Sequence, residues 1–262
     1  MILTRENYHS IEAELEYMSR SQYQSWRKCE ACQKAKLAGT WTDETSTAFL
    51  VGQYVHAWCE GSIKEWIGEH PEMFTKSGGL KAEYKQADVM IATLEADPVA
   101  MYMLQGEKEV IFTAEFAGAM WKVMTDVYNP ERKRLVELKT NRNLRETVWC
   151  PTLERRVNFV EQYNYLTQAA LYTEIERRAS GRAEGEWREY YMVAVSKETV
   201  PDKEIIDLRD PERYVTELAA IERSMERILQ VKAGELEPFR CERCDYCRST
   251  KVLKGAIHYS EL

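Results

Sequence analysis

The sequence predicts an α/β fold: a mixed central β-sheet flanked by helices, with a helical N-terminal region and a cysteine-rich C-terminal tail. Three observations lead there. The first hundred residues carry helical apolar spacing; three apolar segments between Glu109 and Thr140 then alternate like strands; and two more short apolar runs follow a long helical stretch. At 262 residues and 44% hydrophobic, the chain can bury a core as one domain with appendages. The expected division is a helical segment over 1–46, a core over 47–210, and a C-terminal helix and tail over 211–262.

Taken in order, residues 11–38 read as helical, with Ser21 able to cap a segment through Trp26 to Leu37. A second helix is expected from Thr47 to Ile67, stopped by Gly68 and Pro71. A third covers Tyr84 to Leu94, before the Asp97-Pro98 break, with Pro98 opening a short turn. Glu109–Phe116 and Met120–Tyr128 alternate around Ala117-Gly118-Ala119, and Leu135–Thr140 follows the Asn129-Pro130 turn signal. A long helix is expected over Leu153–Ala179, ending at Ser180-Gly181. Strands follow at Tyr190–Ser196 and Glu204–Leu208, then a helix over Pro211–Lys232 that opens on proline and closes at Gly234.

No apolar run reaches the length of a membrane span, and the opening MILTRENYHSIEAELEY lacks the basic-then-apolar order of a secretion signal. A cytoplasmic protein is expected, and seven cysteines there suggest metal or catalysis before disulfides. The net charge of −7 argues against a protein that simply coats nucleic acid. Residues 131–156 nevertheless hold eight Lys/Arg against four Glu, a local excess that suits gripping phosphates at one place.

Within that basic stretch lies RLVELKTNRN, residues 134–143. On a strand, Leu135, Glu137 and Lys139 share one face, and Val136, Leu138 and Thr140 the other. An acid–X–Lys triplet alone is common by chance and reads as well as an inert ion pair. Asp126 changes that, because it and Glu137 lie equally far from the hairpin centre between Glu131 and Arg132, so simple pairing sets two carboxylates face to face. Facing like charges are destabilising unless a cation intervenes. A hard divalent ion, held by one or two carboxylates with water and substrate phosphate, would serve. With Lys139 beside it, the set suits phosphodiester hydrolysis. In GQYVHAWCEG, Gly52, His56 and Glu60 share a helix face at four-residue spacing, and His56 is a competent metal ligand. Asn164, Gln168 and Tyr172 make a second polar stripe.

The ordered set His56, Asp126, Glu137-X-Lys139 and Gln168-X-X-X-Tyr172 resembles the RecB-like branch of the PD-(D/E)XK nuclease superfamily. The resemblance spans about residues 20–250 and is nearest to phage or prophage exonucleases of the RecE and lambda-exonuclease kind. It implies a restriction-endonuclease-like core and a Mg²⁺- or Mn²⁺-dependent exodeoxyribonuclease that resects duplex ends. Asp126, Glu137, the main-chain carbonyl of Leu138 and His56 would hold the metal. Lys139 would orient water or stabilise the transition state, and Gln168 and Tyr172 would position the scissile strand. Glu115 and Glu60 are further candidate acids, and Arg142 and Arg145 would grip backbone phosphate. The resemblance also implies a DNA substrate, a single-strand annealing recombinase as partner, and a homo-oligomer.

In the tail, RCERCDYCRSTK spaces Cys241, Cys244 and Cys247 three residues apart, a partial metal site needing a fourth ligand from Cys29 or Cys32. Several RecB-like nucleases carry one cysteine ahead of the core and three behind it around a [4Fe–4S] cluster, and Cys29 stands where the first would be. The tail departs from that pattern, which has a wider gap before the last cysteine. A cluster, a zinc ion and free thiols therefore all stay open. Two alternatives follow: an iron–sulfur nuclease of a helicase–nuclease or CRISPR adaptation system, and a non-catalytic DNA-binding module with zinc in the cysteines.

Overall fold

In the computed structural model, which describes residues 1–261 except Thr45 and Lys254, the N-terminal region is three short helices. These are α1 (Ile11–Glu16), α2 (Arg20–Lys28) and α3 (Glu30–Leu37). Then come α4 (Thr47–Glu60), α5 (Ile63–Glu69), α6 (Ala82–Glu95) and α7 (Pro98–Met103). Strands β1 (Glu107–Phe116), β2 (Ala119–Asn129) and β3 (Arg134–Asn141) follow, with a small hairpin of β4 (Val148–Cys150) and β5 (Arg155–Val157). Helices α8 (Phe159–Gln162) and α9 (Tyr165–Ala179) lead to β6 (Glu189–Ser196) and β7 (Lys203–Asp207), and the chain ends with α10 (Pro211–Ala233) and α11 (Asp245–Ser249).

The main sheet runs β1-β2-β3-β6-β7. Only β3 and β6 are parallel, paired from Arg134↔Glu189 to Asn141↔Ser196, and the other neighbours are antiparallel. A parallel pair needs a long crossover, which α8 and α9 supply. One face packs against α2, α9 and α10 through Trp26, Trp121, Leu135, Leu171 and Ile221; the other packs against α4, α6 and α7 through Val55, Met90, Val136 and Leu138. The expected mixed α/β sheet flanked by helices is therefore present. Among the described residues no helix is long and apolar enough to cross a membrane.

Three expectations need correction. The stretch 11–38 breaks twice, at Tyr17–Ser19 and at Cys29, and the cap of α2 is Ser19, whose side chain accepts from Gln22 N, rather than Ser21. The expected helix 47–67 is split by Gly61, whose φ of +87° lets the chain reverse after α4. The expected long helix over 153–179 begins only at Tyr165. Glu154 and Asn164 both have positive φ, and the stretch before α9 holds β5 and the one-turn α8, which Asn158 caps by accepting from Glu161 N.

Helix α9 is buried along most of its length yet carries Glu174 and Glu176 inside. Glu174 accepts from Arg177, Arg178 and Trp187, while Glu176 (0% exposed) accepts from Tyr128, Ser180 and Arg182, with Arg188 3.4 Å away. Burial raises the Glu176 pKa, but the Arg182 hydrogen bond and charge outweigh it and hold the pKa below its usual value. Its stabilisation is thus full above the ordinary carboxylate range and lost as pH falls through the depressed folded value. Glu176→Ala should destabilise the chain by about 3–5 kcal/mol, since two arginines lose their counter-charge; urea unfolding at neutral pH measures this.

Candidate active site

The β2–β3 ladder holds at Asn129↔Arg134, Tyr128↔Leu135 and Val127↔Val136, and stops. The next pair in that register is Asp126 and Glu137, the two carboxylates that the hairpin arithmetic brings together. There Asp126 Oδ2 accepts from Leu138 N at 2.7 Å, so a side chain takes the place of a backbone partner. Further along β2, Met18 takes over the same strand, donating to Met120 O (2.7 Å) and accepting from Lys122 N (2.8 Å). The stretch of β2 that carries Asp126 lies between these two attachments, and the parted strands form the cleft.

Glu137 and Lys139 do share a face, with Lys139 Nζ 2.5 Å from Glu137 Oε1. His56 reaches over from α4, its Nδ1 3.3 Å from Asp126 Oδ1. Solvent reaches these side chains unequally: 4% of Glu137 is exposed, 17% of Asp126, 20% of Lys139 and 25% of His56. That leaves a shielded floor with an open rim. Burial works against every charge here. For Asp126 it is outweighed by His56 and Lys139, which hold the pKa down to about 2. For Glu137, burial and the neighbouring Asp126 prevail and the pKa is raised. His56 and Lys139 are raised despite burial, by Asp126 and Glu137 respectively.

Gln168 and Tyr172 stand behind this floor. Buried Gln168 donates to the Tyr190 hydroxyl (3.2 Å), which donates to Glu137 Oε2 (3.0 Å). Tyr172 packs edge-on against Tyr190, with ring centroids 6.3 Å apart. Gln168 therefore meets Glu137 through Tyr190, a strand residue that sequence reasoning left without a role. Gly52 lies over Thr140, where a Cβ would sit 3.6 Å from Oγ1. That is an ordinary contact, so space alone does not demand glycine.

A second acid was also missed. Lys108↔Val127 and Val110↔Thr125 flank a position where Glu109 stands opposite Asp126, so Glu109, Asp126 and Glu137 occupy one level across three strands. Glu109 has φ +51°, its carboxylate lies 4.0 Å from Arg5, and Glu60 of α4, which belongs to the expected stripe, is close enough to raise its pKa. The expected acid of β1, Glu115, is exposed, pairs with Met120 near the far end of the hairpin, and does not join the site. The turn centre sets Glu109, rather than Val110, opposite Asp126. Ala117 and Gly118 both have positive φ and form a two-residue turn, which shifts the hairpin centre from Gly118 to between these two residues.

The two basic residues after β3 differ. Arg142 is exposed in a groove of about 840 Å³ with Lys197, Glu146 and Glu198. Arg145, two-thirds exposed, pairs with Asp202 (3.0 Å) and with Glu204, so a phosphate there would have to displace these carboxylates.

At the far end of α2, Cys29, Cys241, Cys244 and Cys247 place their sulfurs within 4.8 Å of one another, and Cys32 is not in the set. Cys29 sits in the extended break between α2 and α3. The loop before α11 turns amides onto the thiols: Cys244 N donates to Cys241 Sγ and Cys247 N to Cys244 Sγ. Amides of Arg243 and Cys244 bring Cys241 down to about 6, within reach of the thiolate that metals require. Four convergent sulfurs fit a thiolate-bound metal centre.

The Asp126 cleft also fits its implied ion. Two carboxylates and the main-chain edge of Leu138 offer hard oxygen donors, and His56 adds an imidazole nitrogen of borderline character. One consequence can be measured without any ion. Burial, then the Glu60 neighbour, raise the Glu109 pKa from 4.5 to about 7. The stability tied to its protonated form is full below about pH 4.5 and is lost as pH rises through about 7. Glu109→Gln should therefore raise the melting temperature near pH 8 in chelator and leave it unchanged near pH 4.5.

A family model described as "PDDEXK-like domain of unknown function (DUF3799)" matches residues 19–250. A crystal structure from Eubacterium rectale, of a protein named "Putative exonuclease", superposes with a TM-score of 0.92 at 41% identity, covering 100% of this chain and 98% of that one. A structure of SSO0001, at 15% identity over 82% of this chain and 89% of that one, superposes with a TM-score of only 0.29. No curated protein matches the sequence. With its model spanning nearly the whole chain and a close structural relative of the same length, this protein belongs to the PDDEXK-like DUF3799 family.

Proposed function

We propose that the protein is a divalent-metal-dependent deoxyribonuclease acting as an exonuclease on duplex ends. The observation that carries this is the convergence of Asp126, Glu137 and Lys139 where β2 and β3 part, with His56 reaching Asp126 from α4. The name of the Eubacterium rectale relative supports the same reading.

Asp126, Glu137, His56 and the Leu138 carbonyl would hold Mg²⁺ or Mn²⁺; amide and carbonyl of one strand residue point to the same edge, and the Leu138 amide already faces Asp126. When bound, such an ion would act as a Lewis acid on the phosphoryl oxygen and make its bound water more acidic. Lys139, protonated and fixed by Glu137, orients the attacking water and offsets the charge that builds on the phosphate. Tyr190 and Gln168 orient the Glu137 carboxylate, Tyr172 braces Tyr190, and Arg142 grips phosphate beyond the Lys139 strand. Phage-type end resection in the cytoplasm, beside a single-strand annealing protein and in a homo-oligomer, follows from the family resemblance alone.

We assign the four cysteines to a tetrathiolate metal centre that ties the α2–α3 break to the tail. Their spacing favours a single ion over an iron–sulfur cluster. A Zn–S bond of about 2.3 Å puts tetrahedral sulfurs about 3.8 Å apart, near the 3.5 Å between Cys29 and Cys247. A four-iron core holds its thiolates further apart.

Purified protein with Mg²⁺ or Mn²⁺ should degrade linear duplex DNA and spare closed circles. Glu137→Ala and Lys139→Ala should each lower the rate at least about a hundredfold without loss of the melting transition; wild-type rates in both would remove the site assignment. Metal analysis should find close to one zinc per chain and no visible iron–sulfur absorption, and Cys247→Ser should lower both zinc content and melting temperature.

A further inference from the structure

Among the described residues most arginines pair with carboxylates, and of those that do not, two lie with a lysine on one helix face. On α2, Arg20, Gln24, Arg27 and Lys28 fall on the same side, while Tyr23 and Trp26 turn into the core. Among the described residues none of these three cations has a carboxylate within 4 Å, and Arg27 and Lys28 are exposed. Arg27 donates only to the Ser224 hydroxyl (3.0 Å), and the Arg20 Nε is buried without a partner.

This face runs into the active site through a single ring. Lys139 Nζ lies 5.9 Å from the centroid of Tyr165, and the Arg20 guanidinium lies 5.7 Å from the same centroid. Arg20 and Gln24 also hold the turn before α9, donating to the Tyr163 carbonyl. That turn places Asn164 at φ +54° and leaves Tyr163 46% exposed beside Tyr165, with ring centroids 5.9 Å apart. A groove of about 340 Å³ continues from Asn164 past Gln24 and Arg27 to Lys28. Its one acid, Glu217, is engaged by Arg213 and Thr167.

We propose that this face is the track for one DNA strand: Arg20 and, two helical turns further on, Arg27 and Lys28 take backbone phosphates, and Tyr163 stacks on a base next to the cleavage site. The inference rests on the nuclease reading and adds the substrate form, a single strand at the Lys139 end of the groove. Free cations at intervals along a groove bind backbone charge regardless of sequence. An exposed ring at its head can stack only on a base that is not paired. Arg20 also has a positioning role, because it holds the turn that carries Tyr163.

The test is binding of a fluorescein-labelled oligothymidylate by anisotropy, in chelator, across a range of NaCl concentrations. Wild type should bind with log Kd linear in log salt. Arg27→Ala/Lys28→Ala should flatten that slope by about 1.4, close to 0.7 per lost phosphate contact. Tyr163→Ala should weaken binding about tenfold with the slope unchanged. Arg20→Lys should keep the slope where Arg20→Ala lowers it; if Arg20→Ala fails to fold, the exposed Arg27/Lys28 pair decides. On linear duplex with Mg²⁺, the Arg27/Lys28 double variant should raise KM while kcat holds. Wild-type slope and affinity in the double variant would overturn the track. So would a wild-type protein that degrades linear DNA without binding the oligonucleotide, and in both cases the nuclease reading stands. A wild type that neither binds nor degrades DNA would overturn both.

Discussion

Two carboxylates meet across β2 and β3 at a place where the backbone can no longer pair. At a cross-strand spacing of about 5 Å and an effective dielectric near 20, such a pair repels by about 3 kcal/mol when both are ionised. The surrounding structure responds to that repulsion. Asp126 turns to the Leu138 amide and His56, while Glu137 turns to Lys139 and the Tyr190 hydroxyl. Each acid thus finds its own partners, and the two carboxylates stay at one level without a hydrogen bond between their strands.

The fold holds this arrangement from three sides. Strand β3 is tied along its whole length to β6, so Glu137 and Lys139 have a rigid base even where β2 leaves. Helix α4 brings His56 and Glu60 over one edge, packed by Val51, Tyr54 and Val55. From the opposite face α9 supplies Gln168 and Tyr172, and is itself anchored by the buried Glu174 and Glu176 networks. The N-terminal segment closes the far part of β2 through Met18, and buried Lys122 binds that segment by pairing with Glu14 (2.7 Å) and donating to Tyr8 O. The cysteine cluster then joins the start of α3 to the tail, so both chain ends brace the helices behind the cleft.

Where the sequence reading erred, it erred at turns. Cys150-Pro151, Asn158 and Asn164 each mark a change of direction, yet the apolar residues between Leu153 and Ala179 mimic one continuous helical face. The missed Glu109 has the same origin. Moving the first hairpin's centre by half a residue decides which side chain of β1 stands opposite Asp126, because strand periodicity is two. Tyr190 was hidden for another reason: a buried tyrosine in a strand looks like core until the parallel register sets it beside Glu137.

What the sequence by itself determined is the order of the main elements and the placing of Asp126 level with Glu137, with Lys139 on the same face as Glu137. These depend on local periodicity and on a short, well-marked turn, in which distance along the chain sets distance in space. Tertiary structure alone decided that β2 and β3 part at Asp126, that Glu109 joins the level, and that Arg145 pairs with Asp202 and Glu204. It also brought Cys29 to three sulfurs more than two hundred residues away. Such contacts depend on how separate elements pack. Packing is set by the sum of many buried surfaces and cannot be read from any one stretch of residues.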